Sequence, residues 1–225
     1  MSARPVGLVL HDLSFRYGPR HDPIIEDLNH EFARGSMTAL TGPSGSGKST
    51  LLYVAGLMVR PTAGEVLLAG EGTAHLRDGA RAALRADRFG FVFQDAVLDP
   101  SRTVLDNVIE TTLYRGSNRN RAAERAGQLL TRFGVAHRAK HRPGEISGGQ
   151  AQRIALCRAL LHAPDFILAD EPTGNLDAES TAVVVNALRE EAERGATVLI
   201  ATHESRVVFD CDEILAVGQP VGQSS

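Results

Sequence analysis

The chain has 225 residues, enough for one large domain or two small ones with a sizeable buried core. Its 43% hydrophobic and 23% charged content is that of an ordinary globular protein, which excludes disordered and collagen-like classes. Twenty-four Lys and Arg against 27 Asp and Glu give a formal net charge of -3, without the basic excess of an electrostatically driven nucleic-acid binder.

Apolar runs such as Phe166–Ala169 and Thr197–Ala201 fall far short of the ~18 to 20 residues needed to span a bilayer. Met1–Asp12 lacks a basic region followed by a long apolar stretch, so no secretory leader is expected. Cys157 and Cys211 are too few and too far apart for a disulfide framework or a C-x-x-C metal site. They read as buried or half-buried thiols of a soluble, cytosolic chain.

No internal repeat or low-complexity block is present, and Gly218–Ser225 reads as a frayed tail. In chain order, β-type segments are expected at Gly7–Phe15 and Ile24–Phe32, then a brief apolar strand at Met37–Thr41 running into the glycine-rich stretch Gly42–Gly47. A helix follows from Lys48 to about Met58, broken by Arg60-Pro61. Further strands are expected at Glu65–Ala69 and Phe89–Phe93. From Asp95 to Gly149 the pattern is helix and loop. Ala122, Ala126, Leu129, Leu130 and Phe133 recur at helical spacing, with Asn118 or Asn120 as N-cap and Gly134 past the end.

Strands and helices then alternate: helix Gln150–His162, strand Phe166–Ala169, helix Glu179–Arg194 stopped by Gly195, and strand Ala196–Ala201. Strands apolar on both faces and alternating with helices imply a parallel sheet covered on both sides.

Gly42-Pro43-Ser44-Gly45-Ser46-Gly47-Lys48-Ser49 fits G-x-x-x-x-G-K-[ST] between a strand and a helix. Glycines let the backbone turn its N–H groups around phosphate oxygens, and the helix N-terminus adds a favourable field. Lys48 supplies a point charge for the β- and γ-phosphates, and the Ser49 hydroxyl is a Mg²⁺ ligand. The pattern indicates a nucleoside triphosphate site. Its second half is Phe166-Ile167-Leu168-Ala169-Asp170: Asp170 ends an apolar strand where ligands of open α/β sheets sit, placed to hold the metal. Glu171 follows and can polarise a water for attack on the γ-phosphate.

Ile146-Ser147-Gly148-Gly149-Gln150, followed by Ala151-Gln152-Arg153, resembles the signature motif of the ATP-binding cassette (ABC) ATPases, with Ile in place of the usual Leu. The resemblance runs over almost the whole chain. It implies an α/β fold, a P-loop NTPase core with a mainly parallel sheet, a small N-terminal antiparallel β part and an inserted helical subdomain. Residues 1–225 are then one domain, with the core at about 1–94 and 156–225 and the helical subdomain at about 95–155. Ser147, Gly148, Gly149 and Gln150 open a helix, a second N-terminus suited to an anion. The resemblance implies head-to-tail dimerisation, in which this motif closes on the γ-phosphate held by the Gly42–Thr50 loop of the other copy.

Other residues match the family in order. Tyr17 matches the aromatic that stacks on adenine, and Gln94 the glutamine that senses Mg²⁺ and the attacking water. Asp177, in Gly174-Asn175-Leu176-Asp177, matches the acid of the loop across the dimer interface, and His203 the histidine at the γ-phosphate. The implied site has Glu171, His203, Gln94 and Lys48 as catalytic residues. Tyr17, Gly42, Pro43, Ser44, Gly45, Ser46, Gly47, Lys48, Ser49, Thr50, Ser147, Gly148, Gly149, Gln150 and Asp177 bind nucleotide, and Ser49, Gln94 and Asp170 hold the metal. ATP and Mg²⁺ are the implied substrate and cation; the other seven histidines show no ligand spacing.

Arg60-Pro61-Thr62-Ala63-Gly64-Glu65, Phe91-Val92-Phe93-Gln94, Arg142-Pro143-Gly144-Glu145 and Glu171-Pro172-Thr173-Gly174 are similar to the bacterial cassettes of lipoprotein release, macrolide-type export and cell division. The resemblance implies a homodimer, peripheral on the inner face of the cell membrane, that drives a separately encoded integral membrane permease received near Asp95–Val104. No nucleic acid is implied. Leu98-Asp99-Pro100 departs from the more usual Leu-Leu-Pro. The rival readings are a soluble non-transport cassette and a regulator of a cell-wall enzyme acting through a membrane partner. Arg115, Arg119, Arg121 and Arg125 read as a solvated basic face.

Overall fold

The computed structural model describes residues 6–114 and 118–218. Two sheets organise it. The first contains β1 (Val6–Phe15), β2 (Ile25–Ala33), β4 (Ala63–Leu68) and the short β5 (Glu71–Gly72), antiparallel in the order β2-β1-β4-β5. The second contains β3 (Met37–Thr41), β6 (Phe89–Val92), β7 (Phe166–Asp170), β8 (Thr197–Ala201) and β9 (Glu213–Ala216), all parallel in the order β6-β7-β8-β3-β9. This is the expected α/β fold with a parallel sheet and a smaller antiparallel one.

The parallel strands bury both faces, as their apolar composition requires. Ile167, Ala169, Val198 and Ile200 point into one apolar cluster, and the alternate residues Phe166, Leu168, Leu199 and Ala201 into the other. The second cluster is closed by the antiparallel sheet and by α1 (Lys48–Ala55). The first is closed by α5 (Gly148–Leu160) and α6 (Ala178–Glu193) and extends into α3 (Val104–Ile109) and α4 (Arg119–Arg132). Helix α5 runs unbroken past residue 155, from the helical segment onto β6.

Local chemistry sets the helix ends. Asn118 caps α4, its side chain accepting from the N–H groups of Asn120 and Arg121, and Gly134 leaves it at φ 69°. Helix α1 stops at Ala55, short of the expected Met58: Gly56 lies against Leu168 and Phe91, and Leu57 turns at φ 59°. Four further elements were not expected from periodicity: the two-residue β5, α2 (Asp78–Arg88), α7 (Ser205–Phe209) and β9. Arg119, Arg121 and Arg125 are exposed on α4, and Arg119 pairs with Asp106; Arg115 and residues 219–225 lie outside the described residues.

Cys157 is buried and Cys211 half-buried, and both are free; burial pushes the thiols up, to about 12 and about 11. Leu199, fully buried in the central β8, tests the packing. Leu199→Ala is expected to lower unfolding free energy by about 2 to 5 kcal/mol in urea titrations. Ile214→Ala, at a 57% exposed site, should stay within about 0.5 kcal/mol; equal losses at both sites would contradict the packing.

Candidate active site

Parallel register brings the site's chain segments to one sheet edge. Ala201 of β8 pairs with Leu40 of β3 on one side and Asp170 of β7 on the other. Beyond that row the strands release Thr41-Gly42, Thr202-His203 and Glu171 together. Val92 pairs with Ala169, so Gln94 leaves β6 at the same edge. This is the carboxyl edge at which open α/β sheets bind ligands.

The loop after β3 is built on left-handed glycines: Gly42, Gly45 and Gly47 have φ of 145°, 80° and 97°. A Cβ on Gly42 would come within 2.5 Å of the Val217 carbonyl, and one on Gly47 within 2.5 Å of Ile24 Cγ2. Pro43, Ser44 and Gly45 form the exposed crest, and the Ser46 N–H donates to the Pro43 carbonyl (3.2 Å). Gly47 starts α1 without a side-chain cap, so first-turn N–H groups remain for an anion. The Lys48 ammonium lies across this loop, donating to the carbonyls of Gly42 (2.8 Å) and Pro43 (3.0 Å). Tyr17 is 64% exposed, edge-on to Phe15, with its hydroxyl 3.2 Å from that of the buried Thr50. An open aromatic therefore stands next to the phosphate loop.

Behind the loop, Ser49 donates to Oδ1 of Asp170 (2.9 Å) and Tyr53 to Oδ2 (3.0 Å). Burial, with Asp170 adding to it, pushes the Tyr53 phenol up to about 12. The Ser49 and Asp170 oxygens form a hard donor set suited to Mg²⁺, which keeps waters and phosphate oxygens as its remaining ligands. Among the described residues no cluster of three His, Cys, Asp or Glu could form a metal cage.

Glu171 holds a left-handed backbone (φ 45°), stabilised by its N–H donating to the Ala201 carbonyl (2.9 Å). Its Oε1 is hydrogen-bonded to His203 Nδ1 at 2.9 Å; its buried Oε2 has no hydrogen-bond partner. The Glu171 hydrogen bond and charge raise the His203 pKa above 6.5. With the carboxylate charged, this ion pair supports the fold below pH 6.5, and the support fades as pH rises through the raised value. Thr173 donates to Oε1 of Glu204 (2.6 Å), tying the segment after Glu171 to the one after His203. An open pocket of about 620 Å³ runs from Gly42 and His203 toward Phe209.

Elsewhere on the surface, Ser147 caps α5 in a reciprocal box with Gln150. That leaves the first-turn N–H groups of Gly148 and Gly149 without intrahelical partners. Asp177 caps α6 by accepting from Ser180 N–H (2.7 Å), which holds its carboxyl below the usual range. Ser180 in turn lies against Gly149. Gln94 lines a small cavity with Gly148, Asn175 and Leu176. Among the described residues no hydrogen bond joins Gln94, Ser147–Gln150 or Asp177 to the Gly42–Thr50 loop. The structure thus assembles the expected residues into two groups. Tyr53, Thr173 and Glu204 were not foreseen; the one-turn spacing of Tyr53 from Ser49 was the available signal for the first.

Residues 25–174 match the family described as ABC transporter. The chain belongs to that family. It is 45% identical over 194 residues to the lipoprotein-releasing system ATP-binding protein LolD of Maricaulis maris, covering 86% of this chain and 85% of that one. It is 39% identical to the macrolide export ATP-binding/permease protein MacB of a Shewanella species, covering 91% of this chain and 31% of that one. Among solved structures, the ABC transporter cassette MJ0796 in dimeric form superposes with a TM-score of 0.86 at 33% identity, covering 93% and 94% of the two chains. The same cassette has been solved as a post-hydrolysis dimer bound to ADP and Pi (TM-score 0.85).

This ABC cassette is an ATP-binding subunit and an ATPase. In Glu171→Gln, phosphate release should fall by about 10² to 10⁴ while ATP binding persists. The His203 pKa, followed by NMR, should drop toward 6.5. Unchanged turnover would remove Glu171 from the chemistry.

Proposed function

We propose that two copies of this cassette close head to tail around two ATP molecules and drive a separately encoded integral membrane subunit, in export or in mechanical force transmission, from the inner face of the cell membrane. The observation that carries this reading is the presence of two anion-receiving helix starts in one chain. The Gly42–Lys48 loop and the Ser147–Gln150 cap share no hydrogen bond among the described residues, and the similar cassette MJ0796 is solved as a dimer, which supports a second copy bringing them onto one nucleotide. The lipoprotein-release name of one relative supports the export branch. No helix among the described residues is long and apolar enough to cross a membrane.

In this reading Tyr17 stacks on the adenine, and the Gly42–Thr50 loop holds the phosphates by backbone N–H groups and Lys48. Ser49, Asp170 and Gln94 would hold Mg²⁺, which would supply positive charge against the phosphate oxygens. Glu171 orients a water with Oε2 and takes its proton as the water oxygen bonds to the γ-phosphorus. The bond to the β–γ bridging oxygen breaks, releasing ADP and phosphate. His203 and Lys48 stabilise the charge spreading over the γ-phosphoryl oxygens. The partner copy's signature helix and Asp177 loop close the site.

A groove of about 680 Å³ supports the reading of a membrane partner. Its lining includes Met58, Ala83, Phe91 and Val97 together with Arg85 and Arg158, and Met58 and Val97 are exposed. Helix α5 connects the groove to the signature. Gln152 donates to the Phe93 carbonyl, and Arg158 to those of Ala96 and Val97, so the segment on both sides of Gln94 is strapped to the helix that begins at Ser147. Asp99 accepts from Ser101 and Arg102, so the departure from Leu-Leu-Pro makes a tight turn beside the groove.

The test is capture from detergent-solubilised native membranes with the ATP-trapped Glu171→Gln chain. An integral membrane protein should be enriched, and lost when Ala83→Arg blocks the groove, while the purified Ala83→Arg chain keeps its own ATPase activity. Enrichment of soluble proteins alone would contradict the membrane-coupled reading.

A further inference from the structure

We propose that Tyr53 is a positioning residue for the metal-binding pair, holding Asp170 by its second oxygen so that the first stays turned to Ser49. Ser49 and Tyr53 lie four residues apart on α1, hence on one helical face. Asp170, the last residue of β7, is bridged by that face: Oδ1 takes the Ser49 hydroxyl at 2.9 Å and Oδ2 the Tyr53 hydroxyl at 3.0 Å.

One hydrogen bond fixes a point on a carboxylate; two fix its plane. With the plane fixed, the Ser49 proton is committed to Asp170 and the Ser49 lone pairs are left for a cation. If the carboxylate swings, the Ser49 hydroxyl is free to turn its proton toward the cation instead. Outer-shell hydrogen bonds of this kind orient metal ligands. The bland alternative is packing, since the Tyr53 ring lies against the apolar cluster beneath α1. Phenylalanine keeps that packing and removes only the donor.

The inference rests on the reading of Ser49 and Asp170 as Mg²⁺ ligands. Its test is Mn²⁺ binding to the full chain with a non-hydrolysable ATP analogue, read by electron paramagnetic resonance in wild type, Tyr53→Phe, Asp170→Asn and the double variant. Analogue binding in EDTA is measured in parallel. Tyr53→Phe should weaken Mn²⁺ about tenfold, leave binding in EDTA unchanged, and add nothing in the Asp170→Asn background. Unchanged Mn²⁺ affinity in Tyr53→Phe, with Asp170→Asn weakened, would overturn the positioning role alone. An equal loss in EDTA would also overturn it, by showing a general distortion of the loop. If neither variant alters Mn²⁺ affinity, the metal reading of Ser49 and Asp170 fails, and this inference with it.

Discussion

The shared carboxyl edge of β3, β8 and β7 is the constraint on which the rest of this cassette depends. Because Leu40, Ala201 and Asp170 occupy one row of the parallel sheet, the phosphate loop, His203 and Glu171 emerge side by side. A register slip in any one strand would move its chemical group away from the others and turn its apolar residues to the wrong face. The two buried clusters on either side of the sheet therefore act on function directly: they hold the register that holds the site.

On that frame, each group is placed by backbone geometry before its side chain acts. Positive-φ glycines turn the phosphate loop, and the left-handed backbone of Glu171 is tied to Ala201. The two oxygens of the glutamate carboxylate then differ: one holds His203, and the other is buried with no hydrogen-bond partner. The signature helix α5 has a different task. It presents Ser147 at its start, packs on the sheet at its end, and straps the segment on both sides of Gln94 through Gln152 and Arg158. One helix thus links the Ser147 cap to the groove beside Phe91 and Val97.

Much of this was legible in the sequence because it follows local rules. Met37–Thr41 and Phe166–Asp170 are short apolar strands ending in chemistry, and α4 carries an uninterrupted apolar stripe with Asn118 as its cap. The elements that escaped lack such patterns. Helix α2 has alanines and arginines where a stripe would stand. It is anchored by Arg81, a buried guanidinium donating to the carbonyls of Leu57 and Val59. Strand β9 alternates half-buried and exposed residues, with Ile214 facing solvent, and is fixed by pairing with β3 rather than by its own composition. Among site residues, Tyr53 and Glu204 carry no motif of their own; only the fold brings them to Asp170 and Thr173.

The most direct test of the account mixes two disabled chains, Lys48→Ala and Ser147→Arg, each inactive alone. If the site is completed by a second copy, the mixed dimer contains one intact pairing: the Lys48 loop of the Ser147→Arg chain facing the Ser147 helix of the Lys48→Ala chain. ATP hydrolysis and ATP-dependent dimers should then reappear on mixing. A mixture no more active than either chain alone would contradict a shared site.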